Sequence, residues 1–122
     1  MASNSELRTP DSKPITTFDD FSKMDIRIGT ILTAERVPKT EKLLKLTIDT
    51  GIDQRTVVSG IAAYYDPEKI IGQQVSILVN LEPRKIKGIE SQGMILMAED
   101  AATGKLVFVQ PGENTKEGSK IS

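Results

Sequence analysis

The sequence predicts an all-β domain closed into a small barrel, and three observations carry the prediction. Apolar residues recur mostly at every second position, the spacing of a strand with one buried face. The apolar runs are short and stop at Gly, Pro, Asp or Asn, the residues that make turns. The chain has 122 residues and a mass of 13.4 kDa, the size of one domain, with room for five or six such strands. Two packed sheets would need more strands, whereas a barrel with a bent first strand removes most free edges.

The elements follow in order. Residues 1–14, with Ser3, Asn4, Ser5, Pro10, Asp11, Ser12 and Pro14, have the composition of a linker or disordered tail, which leaves 15–122 as the domain. Thr17 with Asp20 three residues on resembles a capping box opening one helical turn. Ile26 and Ile28 then alternate with Asp25 and Arg27, and the phase slips at Gly29-Thr30, as at a bulge or sharp bend. Pro38-Lys39-Thr40 interrupts this strand. Leu44, Leu46 and Ile48 make the second, Thr50-Gly51-Ile52-Asp53 a hairpin loop, and Thr56 to Val58 the third. Asp66-Pro67-Glu68 reads as an N-cap, a proline at the first helical position and an acid in the first turn, with Gly72 ending the helix. Val75, Ile77, Val79 and Leu81 alternate in the fourth strand. Met94 to Ala98 make the fifth, and Leu106 to Val109 a last short strand; the segment from Pro111 is polar, with Ile121 its one apolar anchor. Five strands with a short helix between the third and fourth is the arrangement of an oligonucleotide/oligosaccharide-binding barrel. A small sandwich or an SH3-like barrel is the alternative.

Composition narrows the chemistry. Cysteine and histidine are both absent, which excludes disulfides, cysteine/histidine zinc sites, a cysteine nucleophile and a histidine base. No residue pattern calls for a cofactor. Asp19-Asp20 and Glu99-Asp100 are adjacent acids whose side chains point apart, and Ser59 and Ser91 have no histidine partner, so an enzyme is a weak reading. No apolar run approaches a membrane span, and a cytoplasmic protein is expected. The net charge is −1, so attraction to nucleic acid must rest on local patches.

One patch stands out. Arg84, Lys85 and Lys87 put three cations into four residues, on what reads as a loop at the barrel rim joining strands four and five, one of the loops with which this barrel type binds oligonucleotides. Glu82 and Glu90 flank it and partly cancel it; an ordinary solvated hairpin is the competing reading. Arg27, Arg36, Lys39, Lys42 and Lys45 lie on or just beyond the first strand and could add phosphate contacts, although a wet strand face explains Arg36 and Lys45 as well. Asn80 can donate and accept at once. Ser91-Gln92-Gly93-Met94 offers a hydroxyl, an amide, open backbone and a soft apolar side chain. Aromatic residues are only 4%, with one of Tyr64 and Tyr65 expected in the core, which favours recognition of backbone and shape over base stacking.

These residues carry a resemblance. Phe21 to Ile31, Thr40-Glu41-Lys42-Leu43, Val57 to Ile61 and the long stretch from Asn80 to Met94 are similar to the tRNA-binding domain family, over roughly residues 15–121. That domain is appended to the C-terminus of many bacterial methionyl-tRNA synthetases and also occurs free-standing. The resemblance implies a non-catalytic oligonucleotide-binding barrel that grips tRNA by shape near its elbow. It implies partnership with the synthetase catalytic region, in cis or in trans, and a homodimer built through the terminal extensions. The tRNA-contacting positions it implies are Lys42, Asn80, Arg84, Lys85, Ser91 and Met94, with Arg27 and Gln92, and Lys87 joins them from the cationic cluster. A related branch acts as a protein-export chaperone for unfolded peptides; the Glu90 to Met94 match sets this sequence with the synthetase-type branch.

Overall fold

The structure, a computed structural model, describes residues 13–122. The linker expected over 1–14 lies almost wholly outside those residues.

One long strand organises the barrel. β1 (Ile26–Arg36) pairs with β4 (Gln74–Leu78) through its first half, Ile26 to Thr30, and with β2 (Leu44–Asp49) through its second, Thr30 to Arg36. The strand therefore bends from one partner to the other. The bend needs Gly29: a Cβ there would meet Ile48 Cγ2 at 2.7 Å and the Asp49 carbonyl at 3.0 Å. The irregularity in pairing itself falls two residues later than the sequence pattern suggests, between Ile31 and Thr33. β3 (Gln54–Ser59) follows β2 through a hairpin loop at Thr50 to Asp53, closed by the Thr50 amide donating to the Asp53 carbonyl at 2.9 Å.

The strand order is β3-β2-β1-β4-β7, where β7 is Met94–Ile95. Backbone and side-chain hydrogen bonds of Ser91 and Gln92 complete the ring between β7 and β3. The Gln92 amide N–H donates to the Thr56 carbonyl at 2.8 Å, the Gln92 side-chain carbonyl accepts from Thr56 N at 3.1 Å, and the Ser91 hydroxyl accepts from Val58 N at 3.0 Å. Edge amides that would otherwise be exposed or orphaned are satisfied in this way.

Ile31, Leu44, Leu46, Ile48, Ile61, Ile70, Val75 and Ile77 have no accessible surface and fill the interior. Each such side chain contributes about 1.5–3 kcal/mol by leaving water. α1 (Phe18–Ser22) begins as expected, with the Thr17 hydroxyl accepting from Asp20 N at 3.0 Å. α2 (Pro67–Ile70) sits between β3 and β4 and drops Ile70 into the core. Tyr65 stacks on Phe108 at 4.5 Å between centroids, and Tyr64 stays at the surface.

Three features exceed what alternation alone could indicate. β4 is buried on both faces, because the C-terminal segment covers the second one: Ser76 Oγ donates to the Val109 carbonyl at 2.8 Å, and the Gln74 side chain exchanges hydrogen bonds with the Thr115 backbone. That segment then adds a partner to the free edge of β1, with Gly118 N donating to Ile28 O and Ile28 N to Ser119 O, both at 2.8 Å. Its anchorage is backbone hydrogen bonding, which a polar sequence conceals. The rim between strands four and five is a hairpin rather than a loop: β5 (Arg84–Ile86) pairs with β6 (Ile89–Ser91), turning at Lys87-Gly88. The fifth strand is divided at Leu96 into β7 and β8 (Met97–Glu99), and β8 pairs with β9 (Leu106–Phe108).

Candidate nucleic-acid interface

The β5–β6 hairpin stands over a groove of about 430 Å³. Strand alternation aims Arg84 and Ile86 into it and turns Lys85 to the outer face. Ser91 forms the floor, Met94 lies half-exposed along one side, and Leu81, Glu82 and Pro83 make the opposite wall. The groove is thus mainly apolar, with Arg84 and Glu82 at its edges. Gly93 lets the chain pass close beneath it: its φ is +152°, and a Cβ would meet the Leu78 carbonyl at 2.9 Å.

A second opening, of about 400 Å³, lies between the β1–β2 loop and the tip of the hairpin, lined by Lys39, Lys42 and Lys87. Among the described residues, the ion pairs use Lys23, Arg27, Arg36, Lys45, Arg55 and Lys69, and none uses Lys39, Lys42, Arg84, Lys85 or Lys87. Six cations elsewhere on the barrel are matched to carboxylates, such as Arg36 to Asp66 at 3.6 Å and Lys45 to Glu35 at 3.7 Å, while Lys105, Lys116 and Lys120 are scattered single cations outside any ion pair among the described residues. The rim cations are free to meet phosphate.

The remaining expected site residues are engaged within the protein. Arg27 donates to both oxygens of Asp25, at 2.9 and 3.2 Å, with its side chain only 16% exposed. The Asn80 side-chain carbonyl accepts from Asp25 N at 2.9 Å and its amide donates to the Lys23 carbonyl at 2.6 Å, which pins the segment after α1 to the end of the fourth strand. Gln92 and Ser91 close the barrel. The Ser91 hydroxyl, expected as a free hydrogen-bonding group on the rim, is buried and already accepts from Val58 N, so it supports the groove from beneath.

Two contributors were not singled out as site residues from the sequence. Arg55 clasps the groove's outer wall: its guanidinium donates to the Val79 carbonyl and to the Gln92 carbonyl at 3.3 Å while pairing with Asp53 at 3.0 Å. The Thr50 hydroxyl, and then Arg55, hold the Asp53 carboxyl below its usual range, against the opposing effect of burial. An Asp-x-Arg pair directly after a hairpin loop was the available signal. Lys39 was visible as one of several lysines, but its position opposite Lys87 depends on folding.

Residues 26–120 match the family model described as "Putative tRNA binding domain". The methionine–tRNA ligase of Cytophaga hutchinsonii is 64% identical over 118 residues, which cover 94% of this chain and 17% of that one. The corresponding ligase of Christiangramia forsetii is 59% identical over 111 residues, covering 90% of this chain and 16% of that one. The chain therefore spans less than a fifth of the length of these curated relatives. Among solved structures, a methionyl-tRNA synthetase-related protein from Pyrococcus horikoshii superposes with a TM-score of 0.83 at 35% identity, covering 90% of this chain and all of that one. The CsaA chaperone from Bacillus anthracis superposes with a TM-score of 0.80 at 34% identity, covering 88% of this chain and 99% of that one. With a family model matching most of its length and an oligonucleotide-binding barrel to carry the match, this chain belongs to the tRNA-binding domain family.

Proposed function

We propose that the chain is a non-catalytic module that holds tRNA by its backbone and shape and thereby assists a methionyl-tRNA synthetase catalytic region, in cis or in trans, in the cytoplasm. One observation carries the reading: five cations without a carboxylate partner among the described residues, Lys39, Lys42, Arg84, Lys85 and Lys87, cluster on the rim formed by the β1–β2 loop and the β5–β6 hairpin. Phosphate contact needs charge that is not already neutralised, and these residues have it. Lys42, Arg84, Lys85 and Lys87 supply the charge, and Met94 supplies an apolar contact. Asn80, Ser91, Gln92 and Arg27 hold the surfaces that present them. Tethering to a catalytic region turns even weak binding into a useful gain through effective concentration.

The module is proposed to act as a homodimer. Phe18, Phe21, Met24 and Ile121 expose apolar surface around a cleft of about 390 Å³ between α1 and the C-terminal segment. A second copy would cover that face and give the large tRNA a wider surface to meet.

A gel shift of the isolated chain with unfractionated tRNA tests the reading; binding that weakens with salt is the expected result. The apolar lining of the groove and the likeness to a CsaA chaperone favour unfolded polypeptide as a second ligand class. Capture of a reduced, unfolded polypeptide with no tRNA shift would establish that reading instead.

A further inference from the structure

Two lysines on the rim have backbones that lysine rarely adopts. Lys39, in the β1–β2 loop, has φ +64°, and Lys87, at the hairpin tip, has φ +51°. They are the two non-glycine residues with positive φ among those described. A side chain in this left-handed region is strained against its own backbone, and glycine or asparagine is the ordinary occupant. At the hairpin tip, Lys87 and Gly88 (φ +80°) are the two central residues of a turn with both φ positive, where Asn-Gly is the favoured pair. Both strained lysines line one opening, of about 400 Å³, together with Lys42. Glu41 is the acid that shares the lining, so the opening keeps an excess of two positive charges. Nothing else in the fold requires lysine at either place: both side chains are exposed and enter no ion pair or hydrogen bond among the described residues. Strain without a structural return is found where a residue has a ligand to meet.

We infer that Lys39, Lys42 and Lys87 form a phosphate cradle between the β1–β2 loop and the hairpin tip, taking the phosphodiester backbone of RNA. The inference rests on the proposed tRNA binding and deepens it. It assigns the charge-reading part of the site to a place separate from the apolar groove, and it makes Lys39 a contact residue. The two left-handed positions, one on each of two separate segments, bring lysines to the lining of the same opening.

The test compares the parent with the double variant Lys39→Gly plus Lys87→Gly. Glycine suits positive φ, so the variant should melt at the parent's temperature or a few degrees above it, by about the strain released. Its affinity for unfractionated tRNA at physiological salt should fall about tenfold, and the slope of log affinity against log salt should flatten by about 1.5 units. Lys39→Arg plus Lys87→Arg should keep the parent's slope. Lys116→Ala, which removes an exposed cation from the C-terminal segment, should leave the slope unchanged. A glycine variant that binds with the parent's slope overturns the cradle, as does a Lys116→Ala slope that flattens equally. A parent that shifts no tRNA removes the functional reading and the cradle with it, which separates the two failures.

Discussion

The two ends of β1 have opposite surfaces. Ile26 opens onto the cleft between α1 and the C-terminal segment, where Phe18, Phe21, Met24 and Ile121 leave apolar surface uncovered. Beyond Arg36 the chain enters the β1–β2 loop, where lysines are left without carboxylate partners. Each end concentrates one kind of unmet surface: uncovered apolar side chains in one case, unpaired charge in the other. Both are therefore poised for something outside the monomer, and salt distinguishes them. Screening shortens the reach of the rim charges to about 8 Å at physiological ionic strength, but it does not weaken apolar association.

The largest expected effect breaks the apolar end alone. Phe18→Asp places a charge in the proposed self-association face and should weaken it by about 2–4 kcal/mol, turning a dimer into a monomer in light scattering. The isolated barrel should stay folded, because Phe18 is 79% exposed in the single chain, so the circular dichroism spectrum should match the parent's while melting falls only by the association lost. A parent that is already monomeric at micromolar concentration would reject the dimer.

Arg84 and Ser91 sharpen the contrast at the groove. Arg84→Ala should weaken tRNA binding by about 1–3 kcal/mol and flatten the salt slope by about one unit, with little change in melting. Ser91→Ala leaves Val58 N without its acceptor in a buried place and should cost about 1–3 kcal/mol of stability in denaturant unfolding. Its salt slope should not change. Similar slopes for Arg84→Ala and the parent would remove Arg84 from the phosphate contacts.

Asn80 lies between the two regions. Its side chain holds Lys23 and Asp25, next to the apolar face, while its main chain leads into the Leu81 to Pro83 wall of the groove. Asn80→Ala should cost about 0.5–1.5 kcal/mol of stability and weaken both self-association and tRNA binding slightly. An effect on one property alone would show that the regions are independent.

The smallest effect is on pH. Glu117 is held below its usual range by its own backbone N–H and then by the Thr30 hydroxyl at 2.9 Å, and Asp53 by the Thr50 hydroxyl and Arg55. Depressed carboxylate values mean stability that is full above the ordinary carboxylate range, about pH 4, and lost as pH falls through the lower folded values. Asp100 is lowered likewise by the Ala102 and Thr103 N–H groups, so hydrogen exchange should loosen the C-terminal segment, the Thr50–Asp53 loop and the Asp100–Thr103 turn first on acidification below that range. Uniform loosening of the whole barrel would contradict this.

The core was legible because its signal is local. Leu44, Leu46 and Ile48 alternate in β2 and all face the interior, and Pro67 and Gly72 bracket α2 as their backbone preferences dictate. The closure of the barrel was not legible. Ser91 and Gln92 read as ligand-facing polar residues because nothing local reveals that the edge of β3 passes beside them. The C-terminal segment was also hidden, since it is held by backbone hydrogen bonds that leave no apolar period. At the rim the cationic cluster was visible, but a sequence does not tell a paired cation from a free one. Arg27 and Arg84 look alike along the chain, and only the first has a carboxylate at 2.9 Å.

The central claim, that unpaired rim cations grip the tRNA backbone, is tested most directly by titrating the parent chain with unfractionated tRNA from low to physiological salt. With a few phosphates engaged, log affinity should fall against log salt with a slope of roughly −2 to −5. A slope near zero would contradict the account.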